Sequence, residues 1–487
     1  MPLTFTPSAP YLMAMSTSPQ PFLLAGQWLS SNDHLDVHSP WDNSRVGTVC
    51  RAQADHLQQA VAAAHAARPT LAKLAVYERA NILRGISERI ASRREEIAQL
   101  IRAESGKPIT FARAEADRAV ITFSFAADLL RTQTQPVQPL DMAPKNAGRI
   151  GLVQRFPVGP VLGITPFNFP LNLVAHKVAP AIMAGNPLIL KPASYTPLTA
   201  LLLGEILLAS GLPAAAVSIL PFSARLSAPL LADDRIKMIS FTGSDVVGWD
   251  LKAQSAKKKT ALELGGDAAA VIDQTADLDL AAQKCAAGAF AYAGQVCISV
   301  QRVIVHEAVH DLFLEKFLKA VDDIVTGDPR DEATLNGPLI SEEDQQRTHD
   351  WVQEAVDGGA ELLRGGQKLD NNCYAPTVLR NLPAGCKLDT EEAFAPVVMV
   401  ERATDMEAAF KQVNRSRFGL QTGIFTDSQH TLRRALAELE VGGIIVNDAP
   451  TLRIDPMPYG GVKDSGFGRE GLAWAYEEMT EPRVLVW

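Results

Sequence analysis

The chain has 487 residues, 47% of them hydrophobic and 21% charged, with 33 Gly and 31 Pro. That is the composition of a globular protein long enough for two or three domains with sizeable cores. A formal net charge of −9, with Lys257-Lys258-Lys259 as the longest basic run, argues against nucleic acid as a partner. No run of about eighteen apolar residues reads as a transmembrane helix, so no membrane partner is expected.

Residues 1–20 are rich in Pro, Ser and Thr and lack the basic start and apolar core of a secretory signal. They read as a loose tail, or as a start placed upstream of Met13 or Met15. The five cysteines, at 50, 285, 297, 373 and 386, are odd in number and without C-x-x-C spacing. They fit a reduced, cytoplasmic protein with no structural metal. Across residues 55–103, Leu57, Ala60, Val61, Ala64, Leu83, Ile86 and Ile90 recur at helical spacing. Gly106-Lys107-Pro108 stops that pattern, a further helix is expected over 111–130, and 136–146 reads as a proline-punctuated linker. Residues 150–157 are β-like and belong to neither neighbour.

A different rhythm follows. Apolar strands at 161–164, 188–191, 217–220 and 238–241 alternate with helices at 171–183, 198–209 and 246–256. Fully apolar strands separated by helices mean a parallel sheet covered on both faces, a doubly wound nucleotide-binding pattern. After Glu263-Leu264-Gly265-Gly266 the alternation resumes, giving a second α/β domain over about 267–460. Residues 481–487 form an apolar β-like tail that should pair with something.

The candidate chemistry sits at the ends of these strands. Cys297 lies on a bend between a helical run, 281–293, and a β-rich run, 300–306; alone it reads equally as a small buried hydrophobe. Thr242-Gly243-Ser244 follows a strand and opens a helix, where free N–H groups suit a pyrophosphate, although the G-x-G-x-x-G fingerprint is missing. Lys191 ends a strand before Pro192 and is either a snorkelling surface lysine or a ligand-facing cation. Glu263, among apolar residues, is either structurally paired or a desolvated base. Asn168, between Phe167 and Phe169, is a turn residue or an amide donor. His176, on an apolar helix, reads as a core histidine.

Taken together, Thr165-Pro166-Phe167-Asn168-Phe169-Pro170, Leu190-Lys191-Pro192-Ala193, Phe241-Thr242-Gly243-Ser244, Leu262-Glu263-Leu264-Gly265-Gly266, Gly294-Gln295-Val296-Cys297, Glu391-Glu392-Ala393-Phe394-Ala395-Pro396 and Pro458-Tyr459-Gly460-Gly461 resemble the successive signatures of the aldehyde dehydrogenase superfamily, in order and spacing from about residue 24 onward. The resemblance implies a Rossmann-like cofactor domain over 21–141 and 159–265, an α/β catalytic domain over 266–462, and a small β oligomerisation flap from 142–158 and 463–487. A homodimer or homotetramer is the implied assembly.

The same resemblance implies the roles. Cys297 would be the nucleophile, and the Asn168 amide with the Cys297 N–H would hold the oxyanion. Glu263 would activate water to hydrolyse a thioester, with Lys177 helping to relay the proton. NAD or NADP would lie against Thr165, Pro166, Phe167, Lys191, Ser194, Gly243, Ser244, Val247, Leu264, Glu392 and Phe394.

Departures from the pattern bear on specificity. Ser194 stands where NAD-preferring relatives commonly carry a glutamate that repels a 2′-phosphate, so NADP should be accepted. Val296 replaces an arginine found in some relatives that bind phosphorylated aldehydes. Arg453 and Arg118 (with Arg113 on the same helix) are expected to supply cations to the substrate tunnel, and Phe467 an aromatic wall; the alternative is that the arginines are structural. A small polar or anionic aldehyde, of the succinic semialdehyde or lactaldehyde type, follows from the arginines. Broad aromatic or aliphatic specificity is the alternative. A CoA-acylating reaction is disfavoured, because that branch generally lacks a glutamate at position 263.

Overall fold

The computed structural model describes residues 18–487; the first seventeen residues of the expected tail lie outside it. Gln20 is already anchored, donating to Thr48 and accepting from Cys50 through its backbone, 2.8 Å each.

The first sheet runs in the order Gln27–Leu29, Phe22–Leu24, Val217–Ile219, Leu188–Lys191, Val161–Ile164, Met238–Thr242, Lys259–Glu263, Gly466–Phe467. Its five central strands are parallel. They are short apolar runs buried almost throughout, because helices cover both faces. Chain order reverses at Val161–Ile164, whose neighbours are Leu188–Lys191 on one side and Met238–Thr242 on the other. That reversal opens a crevice at the carboxyl ends of the strands, the usual ligand position in such sheets. The helix Asn172–Ala184 is buried at every residue and fills the space beneath.

The edge strands of this sheet are antiparallel and were not signalled by the alternation. Phe22–Leu24 turns back through Ala25 and Gly26, with φ of 47° and 84°, a hairpin geometry whose usual Asn-Gly signal is missing.

The second sheet has the order Glu361–Arg364, Thr377–Arg380, Val397–Ala403, Val300–His306, Ala268–Ile272, Gln421–Phe425, Gly443–Val446, parallel except for its first pair. A third, antiparallel sheet joins Thr480–Val486, Ile150–Pro157 and Val137–Pro139. The last of these was expected as linker; prolines at 136 and 139 are tolerated because it is an edge strand. Residues 463–487, expected as one outlying segment, are divided. Gly466–Phe467 pairs with Lys259–Glu263 in the first sheet. The helix Leu472–Glu478 buries Leu472 and Tyr476 in the first core, and only Thr480–Val486 joins the small sheet. Among the described residues no helix is long and apolar enough to cross a membrane, and no cluster of His, Cys, Asp and Glu is arranged for a metal.

Candidate active site

The loop that carries Cys297, the expected nucleophile, is built by a forced turn. The helix Leu278–Phe290 ends, and Tyr292, Ala293 and Gly294 follow with φ of 51°, 54° and 67°. Left-handed backbone at two non-glycine residues costs energy and persists only where surroundings impose it. Here the Tyr292 hydroxyl donates to the Ser105 carbonyl at 3.1 Å. The Gln295 amide donates to the Pro338 carbonyl and accepts from the Ile340 N–H. A side chain at 294 would meet the Ala395 carbonyl at 2.2 Å, so the turn requires glycine.

Cys297 emerges from this loop partly buried, with Sγ 3.0 Å from the Tyr459 hydroxyl. Burial pushes its thiol up to about 12, against the lowering effect of the Tyr459 hydrogen bond. Asn168 donates its amide to the Gln295 carbonyl at 2.8 Å, which fixes the amide orientation beside the nucleophile loop. The Cys297 backbone N–H has no acceptor among the described residues.

Glu263 arrives from the other sheet, at the carboxyl end of Lys259–Glu263, and is buried with Oε2 unpartnered. Its Oε1 lies against Gly460, where any Cβ would stand 2.8 Å away. Burial, then the nearby Glu470 carboxylate, holds its pKa well above the usual carboxylate range. Glu470 is buried too, but Lys177 and Arg453 outweigh that burial and keep it ionised. Lys177 Nζ binds Glu470 Oε1 at 3.2 Å, Thr242 Oγ1 at 2.8 Å and Ser240 Oγ at 3.1 Å. Arg453 binds Glu470 Oε2 at 3.1 Å and lies 3.7 Å over the Tyr459 ring.

The residues expected to hold the cofactor gather at the crevice. Lys191 is buried at a strand end with Nζ over the Phe222 ring at 5.4 Å, and burial lowers its pKa. Ser244 precedes the helix Asp245–Gln254 without a side-chain capping bond; it and Val247 are exposed there, and Ser194 is exposed past Lys191. Leu264 packs under Gly248, where a Cβ would meet it at 2.2 Å. Glu392 accepts from the Gly266 N–H at 2.9 Å, and burial raises it to about 8. A Cβ at Gly265 would strike its carboxylate and one at Gly266 the Cys297 carbonyl. Phe394, itself at φ 46°, sets its ring edge against Phe167 at 5.9 Å, and Thr165 and Pro166 precede that pair. An exposed helix N-terminus, a cation without an ion-pair partner among the described residues and a carboxylate over two obligatory glycines fit a dinucleotide.

Beside the nucleophile loop lies a cavity of about 390 Å³, lined among others by Arg118, Phe169, Asn172, Tyr292, Val296 and Arg453. Asn172 is buried and neither its Oδ1 nor its Nδ2 has a partner. Arg118 is bound through Nε to Asp455 at 3.1 Å, and its Nη2 lies 3.3 Å from His176. His176 is buried behind Arg118 and is pushed down to about 4 by that burial.

Not every expected residue reaches this centre. Phe467 is not part of the cavity wall: pairing opposite Leu262 leaves it exposed on the sheet edge, under Lys252. Arg113 points the other way and binds Glu95 and Glu332. Glu470, Asn172 and the Tyr459 hydroxyl carried no local signal, because each acquires its meaning from a partner far away in sequence. Only Pro458-Tyr459-Gly460-Gly461, one of the family-like signatures, hinted at the third.

The profile of the aldehyde dehydrogenase family matches residues 28–485. The chain is 38% identical over 462 residues to 3-sulfolactaldehyde dehydrogenase of Priestia aryabhattai, spanning 95% of this chain and 96% of that one. It is similar in structure to aldehyde dehydrogenase 21 from Physcomitrella patens in complex with the reaction product succinate: TM-score 0.93, 42% identity, 96% and 98% of the two chains. Glyceraldehyde-3-phosphate dehydrogenase GapN from Methanocaldococcus jannaschii, complexed with NADP, gives a TM-score of 0.89 at 35% identity, over 94% and 100%.

Proposed function

The chain belongs to the aldehyde dehydrogenase family and is an oxidoreductase acting on aldehydes; on that footing we propose that it oxidises a small polar or anionic aldehyde to its acid, with NAD or NADP, through a thiohemiacetal and a thioester on Cys297. One observation carries this. A thiol from the second sheet and an unpartnered carboxylate from the first, Cys297 and Glu263, meet at the adjacent residues Tyr459 and Gly460.

The division of labour follows from the chemistry. Cys297 adds to the aldehyde carbon, and the free Cys297 N–H with the second hydrogen of the Asn168 amide faces the oxyanion. When bound, NAD or NADP supplies the hydride acceptor. Glu263, once deprotonated, takes a proton from water as that water attacks the thioester; Glu470 and Lys177 lie on the proton's way out. Lys191, Ser244 and Glu392 would hold the dinucleotide. Ser194 leaves room for a 2′-phosphate, which supports use of NADP.

The substrate class rests on the cavity. Arg118 and Arg453 put positive charge on its wall, and the unpartnered Asn172 amide offers both a donor and an acceptor. Sulfolactaldehyde, and the aldehyde whose oxidation gives succinate, each carry a terminal anion on a short chain, which suits such a wall. The five unpaired cysteines suit a reducing, cytoplasmic compartment. Exposed Val484, Leu485 and Trp487 on the outlying sheet support pairing with a second copy, as a homodimer or homotetramer.

Assaying purified protein with succinic semialdehyde, lactaldehyde, glycolaldehyde, benzaldehyde and hexanal, each with NAD and NADP, tests the reading. Anionic or hydroxylated short aldehydes should give the highest kcat/KM, with NADP turned over. Preference for benzaldehyde or hexanal would overturn the substrate class, and no activity with NADP the cofactor reading.

A further inference from the structure

The contact between Tyr459 and Cys297 has no counterpart elsewhere in the site: it is the one hydrogen bond made by the nucleophilic sulfur among the described residues. The tyrosine is held to that position from both sides. Its backbone forms a two-bond bridge with Glu470, Tyr459 N–H to the Glu470 carbonyl at 3.0 Å and Glu470 N–H to the Tyr459 carbonyl at 2.7 Å. Arg453 covers the ring at 3.7 Å while bound to the Glu470 side chain. A phenol fixed this way delivers its O–H to a single place.

We propose that Tyr459 is a catalytic residue that donates its hydroxyl hydrogen to the Cys297 sulfur, stabilising the thiolate that attacks the aldehyde and the thiolate that leaves when the thioester is hydrolysed. Tyr459, Arg453, Glu392 and Glu263 act most strongly on the charge of the sulfur. Glu392 and Glu263 disfavour negative charge there. Arg453 favours it, and Tyr459 alone does so through a directed hydrogen bond. Toward a thiolate the direction of donation follows from chemistry, since an ionised sulfur has no hydrogen to give, and burial and the neighbouring sulfur hold the phenol above its ordinary pKa. Beside a thiolate it therefore stays protonated and donates.

The proton balance is simple. Cys297 loses its S–H proton to solvent water, the Tyr459 O–H bond stays intact, and the sulfur lone pair then forms the bond to the aldehyde carbon. On hydrolysis the C–S bond breaks and its electron pair returns to sulfur, facing the same O–H. Hydrogen bonds to a charged group are among the stronger ones, so the effect should be visible at equilibrium in the thiolate population.

This inference rests on Cys297 being the nucleophile but not on which aldehyde is oxidised, and its test needs neither substrate nor cofactor. The rate of Cys297 alkylation by iodoacetamide is measured against pH for the wild-type protein, for Tyr459→Phe, and for protein with 3-fluorotyrosine at position 459. Losing the donor should move the profile to higher pH and slow alkylation about tenfold at a fixed pH below the midpoint. A more acidic phenol is a stronger donor, so 3-fluorotyrosine should move the profile to lower pH. A tyrosine that only fills space would leave all three profiles superimposed, and that result would overturn the proposal. The opposite-signed shift from 3-fluorotyrosine keeps the test decisive even if Tyr459→Phe loosens the loop.

Discussion

Lys107 with Glu115, and Lys177 with Glu470, are both lysine–carboxylate pairs sealed from solvent near the same cavity, but their surroundings complete them differently. Lys107 pairs with Glu115, lies 3.6 Å over the Phe169 ring, and leaves nothing unmet: Glu115 also accepts from the Leu171 and Asn172 N–H groups at 2.9 and 3.0 Å. Lys177 and Glu470 are equally well bonded to each other and to Arg453, Thr242 and Ser240. Their neighbour Glu263, however, has an oxygen with no partner and a proton it holds to unusually high pH. The first pair anchors a helix start. The second sets the charge around a group left unsatisfied, and a buried unsatisfied polar atom in a native protein calls for a functional explanation.

The comparison breaks first under substitution of the two lysines. Lys107→Met leaves Glu115 a buried carboxylate with backbone partners alone and should lower unfolding free energy by about 3–5 kcal/mol, whereas Lys177→Met, which leaves Glu470 its bond to Arg453, should cost less, both read by denaturant titration. Only Lys177→Met should also change the pH dependence of thioester hydrolysis. An unchanged profile would make the two pairs equivalent.

Glu470→Gln sharpens it in the other direction. Glu263 is a carboxyl with a raised pKa, so its base form appears only as pH rises. Removing the Glu470 charge, and leaving Lys177 and Arg453 facing Glu263, lowers that pKa. The alkaline rise in deacylation should therefore begin at lower pH than in the wild type, measured by single-turnover kinetics across pH. A move to higher pH would mean that Glu470 does not set the Glu263 ionisation.

The smallest effect belongs to the cavity. Arg118 and Arg453 each hold a buried carboxylate, so removing either disturbs more than substrate. The Asn172 side chain has no hydrogen-bond partner among the described residues to abandon. Asn172→Leu should lower kcat/KM for anionic or hydroxylated aldehydes relative to hexanal by about tenfold, with the unfolding midpoint little changed. An unaltered ratio would remove Asn172 from recognition.

The parallel strands and the helices between them were legible in the sequence, because buried strands are apolar throughout and helices carry their period locally. Cys297 stood out in the sequence as a cysteine on a bend, and Asn168, Glu263 and Lys191 as polar residues at strand ends. What stayed hidden was set by distance along the chain. Lys177 and Glu470 are separated by 293 positions, and nothing local in either predicts the pair. Val137–Pro139 becomes a strand only because Ile150–Pro157 offers it an edge. Phe467 was expected at the substrate tunnel, and the short pairing of Gly466–Phe467 with Leu262 and Glu263 carries it to the surface instead.

The most direct test of the central claim, that Cys297 carries the acyl group and Glu263 releases it, is intact-protein mass spectrometry of Glu263→Gln after mixing with an oxidisable aldehyde and NAD or NADP. The expected result is one acyl group per subunit, mapped to Cys297, formed with one equivalent of reduced cofactor and persisting for minutes, with steady-state turnover down by about 10²–10⁴-fold. Wild-type turnover without any adduct on Cys297 would contradict it.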